Sequence, residues 1–155
     1  MTMEPFEQVV AQHGSAVLRA CRAIAGIDAA DDAWSETFLA ALRAYPTLRP
    51  GSNVRAWLMA IARNKSIDQL RSRRREIPID GIAEPATREP GPGEGAELGD
   101  AINVLPTKQR DAIVLHYIAG LSYAEIAVLL GNSEAAARRA AADGMKRLRR
   151  IYKET

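Results

Sequence analysis

The stretch EIPIDGIAEPATREPGPGEGAE, Glu76 to Glu97, constrains the fold of this chain more than any other. Its 22 residues are rich in proline, glycine and acid. They carry too little apolar surface to bury a core, and their composition is that of a flexible linker. The 155 residues therefore divide into two blocks, 1–75 and 98–155, each the size of a small domain. Neither block shows the two-residue alternation of a strand, and no internal repeat joins them. The expectation is an all-α protein of two small helical domains on a flexible acidic tether.

In the first block, Phe6, Val9, Val10, Val17, Cys21 and Ile24 recur at helical spacing up to Gly26. Trp34, Phe38, Leu42 and Tyr45 form a second stripe, opened by Asp28 or Asp31 and closed before Pro46. The segment PTLRPGSN is a turn-rich loop. Asn53 then caps a long helix, VRAWLMAIARNKSIDQLRSRRR, whose apolar face holds Val54, Leu58, Ile61 and Ala62. Trp57 shares the helical spacing of Ile61 and belongs with the core, although an indole there could also serve as a stacking platform.

In the second block Thr107 caps a helix that runs to about Ala119, and Gly120 stops it. Ser122 and Glu125 have the spacing of a capping box, in which each side chain satisfies a backbone N–H that the helix start leaves open. A short helix, Tyr123 to Leu130, ends at Gly131, and Ser133 can cap the next. So tight a connection is that of a helix-turn-helix, whose second helix enters the major groove of DNA. Its opening residues are Ser133, Glu134, Ala135, Ala136, Ala137, Arg138 and Arg139. Alanines allow close approach and contact with thymine methyls, and the arginines reach guanine edges or phosphates. An ordinary helical hairpin with a solvated basic face fits the same pattern. Gly144 lies inside this second helix, where glycine costs about 1 kcal/mol relative to alanine.

The formal net charge of +2 is too small to mark the whole chain as a nucleic-acid binder, but the charge is sorted. Pro46 to Arg75 carries a net +7 and Glu76 to Glu97 a net −5, and blocks of that kind imply partners. The single cysteine, Cys21, makes no internal disulfide and packs as a small apolar residue. Two distant histidines provide neither zinc-ligand spacing nor a nucleophile–base pair, so no metal, no cofactor and no catalytic residue is expected. No stretch approaches the roughly 18 apolar residues of a membrane span, and no basic start with an apolar run opens the chain, which points to a cytoplasmic protein without membrane insertion.

DDAWSETFLAALRAY, then RPGSNVRAWLMAIARNKSIDQLRSRRR, and past the linker LPTKQRDAIVLHYIAGLSYAEIAVLLGNSEAAARR resemble the extracytoplasmic-function branch of bacterial RNA polymerase sigma factors. The resemblance implies a transcription initiation factor that brings core polymerase to promoters. Region 2 would dock on the polymerase, then read and melt the −10 element. Region 4 would read the −35 element, and an anti-sigma protein is an expected further partner.

By that resemblance, Asp32, Ser35, Glu36 and Phe38 belong to the core-polymerase docking surface. On pattern alone the two acids, four residues apart on one face, equally offset a helix macrodipole. Arg49, Ser52 and Asn53 correspond to the segment that captures an unstacked −10 base. Arg55, Arg63, Asn64, Lys65 and Arg71 would follow the phosphates or the displaced strand. Ser133, Glu134, Ala136, Ala137, Arg138 and Arg139 fall in the −35 reader. Ser35 stands where the family commonly has glutamine. A stand-alone helix-turn-helix regulator with an N-terminal sensing or dimerising domain is the alternative.

As a relaxed coil the linker would span roughly 26 Å. By the resemblance, the two promoter elements would lie somewhat under two helical turns apart, on the order of 55 Å, within the roughly 75 Å limit of the extended segment. The expectation is that polymerase holds it stretched.

Overall fold

The computed structural model describes residues 3–76 and 101–153. The linker expected over 76–97 lies, apart from Glu76, outside the described residues. Within them every regular element is helical.

Helix α1, Phe6–Ala25, meets α2, Ile27–Ala44, at a single-residue corner made by Gly26. Gly26 has φ +88°, a left-handed conformation that glycine adopts without strain. Because the chain turns within that one residue, α2 begins before either aspartate expected to cap it. No side chain caps α2; Asp28 lies in its first turn. The loop after α2 closes with Thr47 Oγ1 donating to Ala44 O at 2.7 Å and Ser52 Oγ donating to Arg49 O at 2.6 Å. Helix α3, Val54–Glu76, starts at Asn53, whose Oδ1 accepts from the Ala56 N–H at 3.1 Å.

Residues 101–104 are helical and lead into α4, Thr107–Ile113. Pro106, not Thr107, occupies the N-cap of α4, and no side chain caps it. A π turn, Val114–Ile118, widens the C-terminal end of α4, with Ala119 N–H donating to Val114 O at 2.9 Å. Helix α5, Tyr123–Leu130, follows. It carries the full capping box: Glu125 N–H to Ser122 Oγ at 3.1 Å and Ser122 N–H to Glu125 Oε1 at 3.2 Å. Gly131 closes α5 in the left-handed region at φ +71°. The last helix, α6, Glu134–Lys153, is capped by Ser133 Oγ, which accepts from the Ala136 N–H at 3.0 Å.

Gly144 does not interrupt α6. It is buried where α6 crosses α4, and a Cβ there would come within 2.5 Å of Ile113 Cδ1 and 3.2 Å of Gln109 Cβ. The helix-propensity cost of the glycine is the cost of that close approach.

The buried side chains of both blocks form one apolar cluster, which includes Val17, Cys21, Ile24, Leu58 and Met59 from the first and Ile102, Leu115, Leu121 and Ile126 from the second. Burial raises the Cys21 thiol pKa, in keeping with its place as a packed apolar residue. Trp57 is half-buried against the same cluster, 6.3 Å from the Tyr45 ring.

Candidate nucleic-acid interface

The helix-turn-helix is built by α5 and α6. Ala137, Ala141, Gly144 and Leu148, spaced four, three and four apart, are the buried stripe of α6. Ala137 is therefore inside, at 0% exposure, and leaves the set of residues expected on the −35 face. Ser133, Glu134, Ala136, Arg138 and Arg139 are exposed along the outer side, and the Ser133 hydroxyl is already engaged as the cap.

Arg138 is held rather than free. Its Nη2 is 3.1 Å from Glu134 Oε1, and its guanidinium carbon lies 5.1 Å from the centroid of the Tyr123 ring. Tyr123 in turn stacks on His116 at 4.0 Å, and His116 Nδ1 lies 2.8 Å from Leu121 O. A carbonyl only accepts, so Nδ1 carries the hydrogen and fixes the ring. Tyr123 and His116 were not legible as parts of this face, because nothing in the periodicity of α6 points to side chains 15 and 22 residues earlier.

The face of α3 is organised differently. Arg55 Nε donates to Ala119 O at 2.7 Å, at the C-terminal end of the π turn. Arg63 Nε and Nη2 both reach Asp111 Oδ2 at 2.9 Å, and Arg110 Nη2 approaches the other carboxylate oxygen at 3.4 Å. Asn53 Nδ2 donates to Glu125 Oε2, so one hydrogen bond joins the capped start of α3 to the capping box of α5. Three residues expected to touch the −10 element thus contact the second block. Arg49, Asn64 and Arg71 are exposed, Lys65 is half-buried, and Ser52 donates within its own turn.

These contacts set local charge. Hydrogen bonds from Ser122, its backbone N–H first, and from Asn53 hold the Glu125 carboxyl below its ordinary value. His13 is pushed down by burial and then by the nearby Arg55 charge.

On α2, Asp32, Ser35 and Glu36 are exposed. Arg73 Nη2 donates to Asp28 O at 2.7 Å and stands 3.9 Å from Asp32 Oδ2. Phe38 does not join them: at 7% exposure it lies in the core, tilted on Trp34 at 4.7 Å and edge-on to Phe6 at 6.4 Å. The apolar part of that outer face comes instead from Leu39 and Leu42, at 54% and 52% exposure. Among the described residues no cluster of three or more His, Cys, Asp or Glu side chains is placed to hold a metal.

Two family models match the chain in order: Sigma-70 region 2 over residues 9–76 and Sigma-70, region 4 over residues 95–148. The RNA polymerase sigma factor CarQ of Myxococcus xanthus is 33% identical over 97% of this chain and 91% of its own length. The chain belongs to the sigma-70 family of RNA polymerase sigma factors, in its extracytoplasmic-function branch. A sigma factor is not an enzyme, and the matching of both blocks removes the stand-alone regulator as an alternative.

The extracytoplasmic-function sigma factor EcfG of Rhodopseudomonas palustris is 38% identical over 67% of this chain, a match that spans 60% of that relative's length. The fold is also that of CnrH solved in complex with the cytosolic domain of CnrY, with a TM-score of 0.76 and 29% identity over 96% of this chain and 88% of that one. The sigma factor RpoE of Bartonella quintana, solved with the anti-sigma factor NepR, gives 0.79 and 27% over 96% of each chain. No helix among the described residues is long and apolar enough to cross a membrane.

Proposed function

We propose that this sigma factor directs core polymerase to promoters by bipartite reading in the cytoplasm. Residues 1–75 would dock on the polymerase and open the −10 element, residues 76–97 would connect, and residues 98–155 would read the −35 element. The observation that carries the reading is the helix-turn-helix. Its second helix turns Arg138 and Arg139 outward at the N-terminal turns, where such helices meet base edges.

In the first block, Arg49, Asn53, Arg55, Arg63, Asn64, Lys65 and Arg71 provide donors along one loop and helix, the chemistry a strand of phosphates and unstacked bases requires. Ser52 closes the turn just before Asn53, its hydroxyl donating to Arg49 O. The docking face joins the acids Asp32 and Glu36 and the polar Ser35 to the exposed Leu39 and Leu42, an apolar centre with a charged rim. An anti-sigma protein is a further partner, by analogy with the CnrH and RpoE complexes.

Purified chain added to sigma-free core polymerase, with run-off transcription from a genomic promoter library, tests the reading. Start-site-specific RNA is the expected result, lost in an Asp32→Lys, Glu36→Lys variant that still melts as wild type. Specific initiation that survives this charge reversal would remove the docking assignment.

A further inference from the structure

We propose that the outer ridge of α2 docks into an apolar groove on the second block of another copy of this chain, so that the free protein is held in head-to-tail assemblies that hide its own polymerase-docking face. The hiding of that face rests on the assignment of Asp32, Glu36, Leu39 and Leu42 made above. The contact between copies does not.

The groove lies where the start of the second block, α4 with its π turn, and the C-terminal half of α6 meet, and its volume is about 510 Å³. Binding clefts span roughly 300–1,000 Å³. Ile102, Ile113 and Leu148 are buried at its floor, and Met145 is half-buried beside them. Arg149 and Lys153 line the same groove and are exposed. The stretch from Met145 to Lys153 holds five bases and no acid, so the rim is strongly positive.

The ridge is the complement of this groove. Asp32, Glu36, Leu39 and Leu42, spaced four, three and three apart, share the outer side of α2 over about 15 Å. Both leucines stand about half exposed at the helix surface. Helix α2 carries four acids against the single base Arg43, and the Asp32 side chain keeps 70% of its exposure even beside Arg73. A convex apolar pair flanked by acids thus matches a concave apolar groove rimmed by bases.

Charge selects which surfaces meet. Groove against groove would oppose base to base, and ridge against ridge acid to acid. Only ridge against groove brings opposite signs together. Leu39 and Leu42 are exposed in the folded chain, so its own groove does not take them, and the partner is a second copy. Because the contact joins two different surfaces it is heterologous, and it continues from copy to copy until it closes on itself. Core polymerase takes the same ridge, so assembly and polymerase binding exclude each other.

The test uses the full chain in sedimentation equilibrium over about 1–300 µM, which brackets a small, micromolar interface. The weight-average mass is expected to rise above that of one chain with concentration, and to fall back as salt goes from about 0.05 to 0.5 M. Leu39→Glu with Leu42→Glu disables the ridge, and Arg149→Glu with Tyr152→Glu disables the groove. All four positions are exposed. Each double variant alone is expected to associate at least about tenfold more weakly, since it places unmatched or like charge in the contact. Mixed in equal amounts, the two variants still hold one intact ridge and one intact groove between them. They are expected to form a one-to-one pair near wild-type affinity and to stop there.

Three results overturn the proposal: a wild-type chain that keeps the mass of one chain throughout, association that both variants retain, or a mixture that stays monomeric where the wild-type chain associates. The salt series on the wild-type chain decides the matter even if a variant fails to fold, because association unmoved by salt overturns the pairing of acids with bases. Core polymerase is expected to dissolve the wild-type assemblies. Assemblies that persist with polymerase bound would overturn the docking assignment of α2, and with it the hiding of that face, while the mixed variants still decide the contact between copies.

Discussion

The two basic faces of this sigma factor use the same side-chain chemistry under opposite conditions. On α3, Arg55 and Arg63 are tied to acceptors 64 and 48 residues away in sequence. On α6, Arg138 is tied only to Glu134, one turn before it, and to the Tyr123 ring. A local tether leaves the guanidinium at the surface and restricts its direction. A distant one removes it from the surface for as long as the blocks touch. Basic character alone therefore does not say whether a face is available; the separation in sequence of the partner does.

The largest test of this contrast is on the open side. Arg138→Ala with Arg139→Ala should weaken binding to the cognate −35 duplex by about 1–3 kcal/mol for each arginine that reads a base, with relaxed sequence preference. A contact to phosphate alone would instead weaken every duplex alike and reduce the salt slope by about one. Wild-type affinity in a duplex titration would show that the open face is not the reader.

Next in size is the support beneath α6. Gly144→Leu must displace Ile113 and Gln109, and overpacking of this kind costs about 1–3 kcal/mol, offset in part by up to about 1 kcal/mol of helix propensity. A denaturant melt should show the loss, and Ile113→Val, which removes the atom 2.5 Å from the added carbon, should recover part of it in Gly144→Ala.

The shelf under Arg138 comes third. Tyr123→Leu should cost about 0.5–1 kcal/mol of −35 affinity by removing the ring beneath the cation, and Tyr123→Phe should cost little. In an Arg138→Ala background both should be silent, which a double-mutant cycle measures directly.

The smallest effect concerns Glu125, the residue that belongs to both faces. Its carboxyl is held below the ordinary value of 4.5, so the stabilisation it lends to the α5 cap and to Asn53 is fully present above that pH and is lost as pH falls through the lower, folded value. A pH titration of helicity should show a slope there that Glu125→Gln flattens.

Much of this architecture was legible in the sequence because it is local. The capping box at Ser122 and Glu125, the Asn53 cap and the left-handed Gly131 each need only their immediate neighbours, and the all-helical class followed from periodicity. What was not legible depended on rotation or distance. Trp34, Phe38 and Leu42 read as one stripe at spacings of four, but eight residues at 3.6 per turn rotate a side chain by about 80°, which brings Leu42 to the surface while Phe38 stays inside. In the sequence Ala137 reads as an exposed small residue, because Ala137, Ala141 and Gly144 do not look like an apolar face until α4 is laid against them. The pairing of Arg63 with Asp111 has no period at all. Sorted charge announced a partner for α3 without saying that one lies on the same chain.

The polar part of the contact between the blocks, beside their shared apolar core, has a further consequence for dose. Asp111, Glu125 and the Ala119 carbonyl are attached to the donors they meet, so their effective concentration is a property of the chain, of a kind that can reach the millimolar range, and does not vary with how much sigma factor a cell holds. Any outside ligand of those donors must outcompete a rival whose concentration never falls. Raising expression multiplies closed molecules and open ones in the same proportion. Only an agent with unequal affinity for the two arrangements changes their ratio, which gives polymerase, or any protein that grips both blocks, a control that abundance lacks.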